Sequence, residues 1–345
     1  MNVKGLYLYG FVNVTEALRI GPIGLDSREV YLKSGGSFSV AVSDVDGIDF
    51  SQLPKETLLK YVAEHQRTLE RLMERGRVIP LKFGSLVQDS QEVDTILAKG
   101  QDRILETFEK VRGRTEMDLV AGFSDFEGVL KEISMSESIL TFQRKARPES
   151  KAALHQARVT LGKMVKSALE EKRKGYVDAI MKSLSRVSVA SRVLDIRDDA
   201  TIANLACLLE EKDLARFETE IEVLDREFED RVNFKLIGPL PCNSFHTLMI
   251  ENVNFEEIDF ARKCLDLPEK VTASDIKSAY RLMTKACHPD SGTPGTSDQN
   301  RFEAINKSYR LLMDVCRGGS ISFPEDDENA WLDIRPVKSD HRGVP

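Results

Sequence analysis

Up to Glu251, short apolar runs of period two alternate with longer runs of period 3.6, and this interleaving restricts the architecture more than any other feature of the chain. A sequence of this kind builds sheets with helices packed on them, not a helical bundle and not a sandwich of strands alone. Leu6 to Val12 is rich in aromatic and β-branched residues, and Phe38-Ser39-Val40-Ala41-Val42 follows the turn signal Gly35-Gly36; both read as strands. Pro54 can open a helix whose Leu58, Val62, Leu69, Leu72 and Met73 keep a 3.6 period as far as Gly76. The apolar run Val78-Ile79-Pro80-Leu81-Lys82-Phe83-Gly84 precedes a second helix over about 91–111, and a strand over 117–123 closes the unit.

This order predicts a first α+β domain over 1–123, a sandwich of ferredoxin-like type with its helices on one sheet face. The middle has another texture. Leu154, Leu161, Val165, Leu169, Val177, Ile180 and Leu184 recur at helical intervals in a long charged segment over 148–184, with Lys172-Arg173-Lys174-Gly175 as a candidate break. Alternating Val187, Val189 and Val193, the apolar run Ile202 to Leu209, a helix over 213–230 and a strand around 234–237 complete a second α+β domain over 124–252. Beyond Glu251 the pattern is purely helical to Cys316, a small all-α module over 253–317. The remainder, 318–345, carries Pro324-Glu325-Asp326-Asp327-Glu328 and little apolar material beyond Trp331, the composition of a disordered acidic tail.

With 345 residues, 41% hydrophobic and 30% charged, the chain is long and apolar enough for several buried cores. Its net charge of −7 opposes nonspecific nucleic-acid binding, which needs a cationic field. The five cysteines are scattered without C-x-x-C spacing and read as reduced thiols. The amino terminus has no long apolar segment ending at a cleavage site, and no apolar run reaches the roughly 18 residues of a membrane span, so a cytoplasmic chain without a membrane partner is expected. There is no glycine-rich phosphate loop, no G-x-S-x-G elbow and no metal-spaced His/Cys cluster. Accordingly no catalytic residue, metal site or cofactor is expected. His65 lies near the apolar side of its helix and reads as a hydrogen-bonded core histidine. Glu116 beside Arg114 reads as a solvated ion pair of little consequence.

The sharpest local signal is His288-Pro289-Asp290 between two helical patterns. Before it, Ile276, Ala279, Tyr280 and Met283 share one helix face while Lys277, Arg281 and Lys285 recur every fourth residue on another. Thr272 and Asp275 fit a capping box at the helix start. Pro289 disfavours helical geometry at His288, ending the helix and exposing His288 and Asp290 on a turn. After it, Phe302, Ile305, Tyr309 and Leu312 form the apolar face of a second, antiparallel helix.

These residues resemble a J-domain, the module by which DnaJ-type cochaperones engage Hsp70. Cys264-Leu265-Asp266-Leu267 stands where such domains have their short leading helix, and Ile276-Lys277-Ser278-Ala279-Tyr280-Arg281 opens the basic helix. His288-Pro289-Asp290 is the signature tripeptide, and Phe302-Glu303-Ala304-Ile305-Asn306 begins the closing helix. The resemblance implies that Lys277, Arg281 and Lys285 dock on an acidic Hsp70 surface and that His288, Pro289 and Asp290 trigger ATP hydrolysis in that partner. Asp266 replaces the usual glycine after the leading leucine, and no Gly/Phe-rich linker follows. A module kept only for docking, without Hsp70 stimulation, is the other reading.

The part before it, Leu6 to Phe245, is similar to the gas vesicle GvpL/GvpF family. Tyr7-Leu8-Tyr9-Gly10 matches the family's opening strand, Val78 to Gly84 its v-l-P-l-R-F-G segment with Pro80, Phe83 and Gly84, and Thr115-Glu116-Met117-Asp118-Leu119 a strand commonly E-W-x-V. Gly238-Pro239-Leu240-Pro241-Cys242-Asn243-Ser244-Phe245 stands for G-P-W-P-P-Y-S-F. Tyr7, Tyr9, Gly10, Pro80, Phe83, Gly84, Gly238, Pro239, Pro241 and Phe245 are expected to be structural. The resemblance implies a non-enzymatic accessory protein of gas vesicle assembly, located at the vesicle or in the cytoplasm. Its partners would be the gas vesicle shell protein, other gas vesicle accessory proteins and Hsp70. The rival expectation is a general J-domain cochaperone whose first two domains take unrelated clients.

Overall fold

A computed structural model describes residues 4–46, 48–146, 150–196, 198–253, 255–286, 296–316, 320–322 and 331–337. The chain opens with β1 (Lys4–Val12), β2 (Leu18–Gly21), β3 (Val30–Ser34) and β4 (Ser39–Asp46). Then follow α1 (Lys55–Met73), the short β5 (Val78–Pro80) and β6 (Leu86–Val87), α2 (Ser90–Lys99) and α3 (Gln101–Lys110). The strands form an antiparallel sheet in the order β2-β3-β4-β1-β5, with β6 also paired to β1. Alternation divides β1 between two cores: Leu6 and Leu8 join Ile96 and Ile104 of α2 and α3, whereas Tyr7 and Tyr9 join Leu69 and Leu72 of α1. A bulge between the pairs Leu8↔Val42 and Gly10↔Ala41 shifts the alternation and sends Phe11 to the α2–α3 side. Glycine is required at this bulge, because a Cβ on Gly10 would stand 2.6 Å from the Ile79 carbonyl oxygen.

Helix α1 buries His65, Thr68, Leu69 and Leu72, the i, i+3, i+4, i+7 stripe that seats an amphipathic helix on a sheet. The Asp89 carboxylate caps α2 by accepting the Gln91 and Glu92 N–H groups at 2.8 and 2.9 Å, and Glu92 reaches back to the Gln88 N–H at 2.7 Å. The single helix expected over 91–111 is in fact two. They divide at Gly100, a poor helix former against whose backbone Ile334 packs.

The second unit comprises β7 (Arg114–Phe123), α4 (Phe126–Ser134), α5 (Glu137–Lys145), α6 (Lys151–Leu184), β8 (Ala190–Val193), β9 (Thr201–Glu210), α7 (Leu214–Glu227) and β10 (Val232–Leu240). Its sheet order is β10-β7-β9-β8, all antiparallel. Read along the chain this is strand, helix, strand, strand, helix, strand, so the ferredoxin-like arrangement belongs to the second unit and not to the first. The strand expected to close the first sheet, β7, lies here too. Alternation marks it as a strand but is silent about partners, and those partners, β9 and β10, come much later in the chain. Met117, Leu119, Ala121 and Phe123 of β7 pack under α6 and α7 against Ile180, Leu184, Phe217 and Leu224. Helix α6 runs unbroken through Lys172-Arg173-Lys174-Gly175: Lys172 pairs with Glu132 of α4 at 2.6 Å, and Arg173 donates to the Asp199 carbonyl.

After α8 (Asn243–His246) and β11 (Leu248–Val253) come α9 (Phe255–Cys264), β12 (Lys270–Thr272), α10 (Ala273–Ala286), α11 (Thr296–Cys316), β13 (Ser320–Ser322) and β14 (Trp331–Pro336). Helices α9, α10 and α11 enclose a core of their own around Ile258, Leu265, Ile276, Ile305 and Leu312. The expected capping box forms, with the Thr272 N–H donating to the Asp275 carboxylate at 2.8 Å and the Asp275 N–H to Thr272 Oγ1 at 3.3 Å. The acidic tail carries two strands among its described residues: β13 pairs with β12, and β14 pairs with β11 from Leu248↔Pro336 to Val253↔Trp331. Buried Ile334 anchors β14 in the core beneath α2, a detail that averaging over an acidic stretch conceals. The helical module is thereby held between two neighbouring strands and tethered at both ends.

Candidate functional site

Three places draw together the residues that the sequence singles out. In the first unit, the Tyr7 hydroxyl lies 2.8 Å from His65 Nδ1 and accepts the Gly84 N–H at 3.2 Å. Tyr9 bonds Ser43 Oγ at 3.0 Å and accepts the Leu25 N–H at 2.9 Å. Burial drives the His65 pKa down to about 4, opposed by its hydrogen bond to the Leu81 backbone, so the ring is neutral near pH 7. Nδ1 therefore accepts from Tyr7 while the ring's N–H serves Leu81. Phe83 packs edge-on against Phe50 and His65, with centroids 4.9 and 5.8 Å apart, and Pro80 pairs in register with Gly10. Tyr7, Tyr9, Gly10, Pro80, Phe83 and Gly84 thus occupy one satisfied polar-aromatic cluster, with no open nucleophile or base.

The second place is the joint between the units. Glu116 does not pair with Arg114, as the sequence reading supposed; Arg114 bonds Glu210 at 3.0 Å. Alternation along β7 points Glu116 away from α6, to where Gly238 to Phe245 crosses the sheet, and there it is 1% exposed. Its carboxylate accepts the Ser244 N–H at 2.8 Å and the Ser244 hydroxyl at 2.7 Å. Desolvation raises its pKa to about 7, against the lowering effect of those bonds, and the Asp118 carboxyl beside it is raised to about 6 by burial. Two acids at alternate positions of an apolar strand were the signal available in the sequence. Gly238 has φ 142 and a cis bond to Pro239, and a Cβ there would meet Met117 Sδ at 2.5 Å. Pro239 is exposed, Pro241 buried, and the Phe245 ring lies 4.9 Å beneath the Arg192 guanidinium. Asn243 donates to Gln66 of α1 at 2.5 Å, and the Lys82 N–H donates to the Leu248 carbonyl at 2.8 Å. This segment therefore fastens β7 to α1, and Leu248 just beyond it joins the link that follows β5.

The third place is α10. Lys277, Arg281 and Lys285 are exposed along one face, and among the described residues none takes an ion-pair partner. The opposite face buries Ile276 and holds Tyr280, whose hydroxyl donates to Asn306 at 2.6 Å and whose ring stacks on Tyr309 at 4.1 Å. His288, Pro289 and Asp290 lie outside the described residues. Among the described residues no group of three His, Cys, Asp or Glu is placed to hold a metal, and no helix is long and apolar enough to cross a membrane. Burial raises the Cys207 and Cys242 thiols to about 11 and about 12, which keeps both protonated and unreactive.

A pair of interlocked α+β units carrying a three-helix module with a cationic ridge defines a multidomain protein built by fusion of modules. Residues 5–247 match the model of the gas vesicle synthesis protein GvpL/GvpF family and residues 263–317 that of the DnaJ domain; the chain belongs to the GvpL/GvpF family. It is 24% identical over 233 residues to gas vesicle protein F of Dolichospermum flosaquae, covering 67% of this chain and 92% of that relative. The crystal structure of GvpF from Anabaena sp. PCC7120 superposes with a TM-score of 0.55 at 22% identity, over 71% of this chain and 98% of that one. The chloroplastic chaperone protein dnaJ 11 of Arabidopsis thaliana is 43% identical over 53 residues, covering 14% of this chain and 33% of that protein.

Proposed function

We propose that this chain is a non-enzymatic assembly factor for gas vesicles, working at the vesicle or in the cytoplasm. Its α+β units hold shell or accessory proteins, and its J module hands them to an Hsp70. The domain division is taken as 1–123, 124–252, 253–317 and 318–345, with β7 packing across the first of these boundaries. A shell subunit rich in apolar surface self-associates unless shielded before it enters a wall, and a fused module places the chaperone beside the held client. The observation that carries the reading is the uncompensated row of Lys277, Arg281 and Lys285 within a DnaJ match, fused to a gas vesicle family match that fills most of the remaining chain. Such a row steers an acidic partner and fixes its register.

Stimulation of Hsp70 ATPase by the intact chain tests it. Stimulation is expected from the wild type, with loss in His288→Gln and loss in Lys277→Glu/Arg281→Glu. Equal, negligible rates for all three remove the chaperone half of the reading. Co-purification of the shell protein under native expression tests the client half, and its clean failure counts against it.

A further inference from the structure

The chain is acidic overall, yet between Arg144 and Lys166 its sequence holds seven Lys or Arg against one acid, Glu149. This stretch includes the outer half of α6. Every residue from Lys151 to Gln156 is exposed, and Leu154 and Val159 are 41% and 38% exposed. Lys151, Arg158 and Lys166 recur at i, i+7 and i+15, which sets them on one helix face. Lys166 alone of these cations has an ion-pair partner among the described residues, Glu170 at 3.8 Å. A helical arm with so little packing is marginal by itself in water.

The complement is on the same unit. Helix α7 exposes Glu218, Glu222 and Asp225 at i, i+4 and i+7, with Val223 42% exposed beside them. Like charges at that spacing destabilise a helix, an effect that exposed Arg226, four residues after Glu222, offsets in part. The two stripes cannot meet within one molecule. Helix α7 lies along the inner half of α6, with Glu220 bonded to Ser183 and the Phe228 ring 5.2 Å from Tyr176. Tyr176 marks the near end of the acidic stripe, and Arg158 is therefore about 27 Å further out along the helix, at ~1.5 Å per residue. About three screening lengths separate Arg158 from that stripe at physiological salt.

We propose that the protein associates head to tail, the basic outer half of α6 in one copy lying along the acidic stripe of α7 in the next. The stripes are opposite in sign and alike in length, since Lys151 to Arg158 and Glu218 to Asp225 each cover eight residues of helix, and each carries exposed apolar side chains. Two different surfaces meet in such a contact, so it repeats into chains, or into a ring where the rotation closes. A row of copies sets the J modules out at a regular interval.

Sedimentation velocity of the full chain tests this. In about 50 mM salt the weight-average mass is expected to rise at least twofold between about 1 and 100 µM, and to return to the monomer value near 0.5 M salt, where screening is short-ranged. Arm reversal (Lys151→Glu/Arg158→Glu) and stripe reversal (Glu218→Lys/Glu222→Lys) should each be monomeric with unchanged helicity. Their equimolar mixture should associate again, because each then offers the surface the other lacks. A wild type that stays monomeric throughout overturns the proposal. So does association that survives either reversal, or a mixture that remains monomeric. The milder Lys151→Gln/Arg158→Gln gives the same reading should a reversal unfold the arm.

Discussion

Two buried groups in different units titrate in opposite senses. Glu116 has a folded pKa of about 7, above the 4.5 of its ordinary state, so the fold binds its proton more tightly than the unfolded chain does. Its contribution to stability is complete below pH 4.5 and is lost as the pH rises through 7. His65 is lowered from 6.5 to about 4, so its contribution is complete above 6.5 and is lost as the pH falls through 4. Over their shared interval the two slopes cancel, and substitution separates them. The stability of the wild type minus that of Glu116→Gln should fall by about 3 kcal/mol from pH 4.5 to 7. The wild type minus His65→Phe should rise from pH 4 to 6.5; urea unfolding at each pH measures both, and a flat difference refutes the assignment. Asp266 matters for its backbone, not its charge. It closes α9 at φ 52, a left-handed conformation that glycine adopts freely. Asp266→Gly should stabilise the J module by about 0.5–1 kcal/mol in thermal unfolding.

At the scale of elements, β14 is the one whose role is least visible from its neighbours in sequence. It follows the J module, yet it pairs with β11, which precedes it, and its Ile334 is 3% exposed in the core beneath α2. Removing that side chain leaves a cavity in a packed layer. Ile334→Ala should cost the first unit about 2–4 kcal/mol, with hydrogen exchange accelerated in α2 and β11. No acceleration there would mean that β14 is a passive strap.

At the scale of the molecule, the J module shares no core residue with the first two units among the described residues, whereas Leu208 of the second sheet packs into the core of the first. Calorimetry should therefore resolve two transitions: Asp266→Gly shifts one, and Ile334→Ala shifts the other. A single transition moved by both substitutions would show that the double tether couples them.

The interleaving of strands with helices, the apolar stripe of α1, the Thr272–Asp275 cap, the core histidine and the cationic face of α10 were all written in local spacing, because periodicity and capping are properties of a few consecutive residues. Which sheet β7 joins, where the ferredoxin-like order resides, how Glu116 meets Ser244 and why Ile334 is buried were decided only in three dimensions. Each depends on contacts between residues far apart in the chain. Strand alternation states which side chains share a face, but it carries no information about what that face will meet.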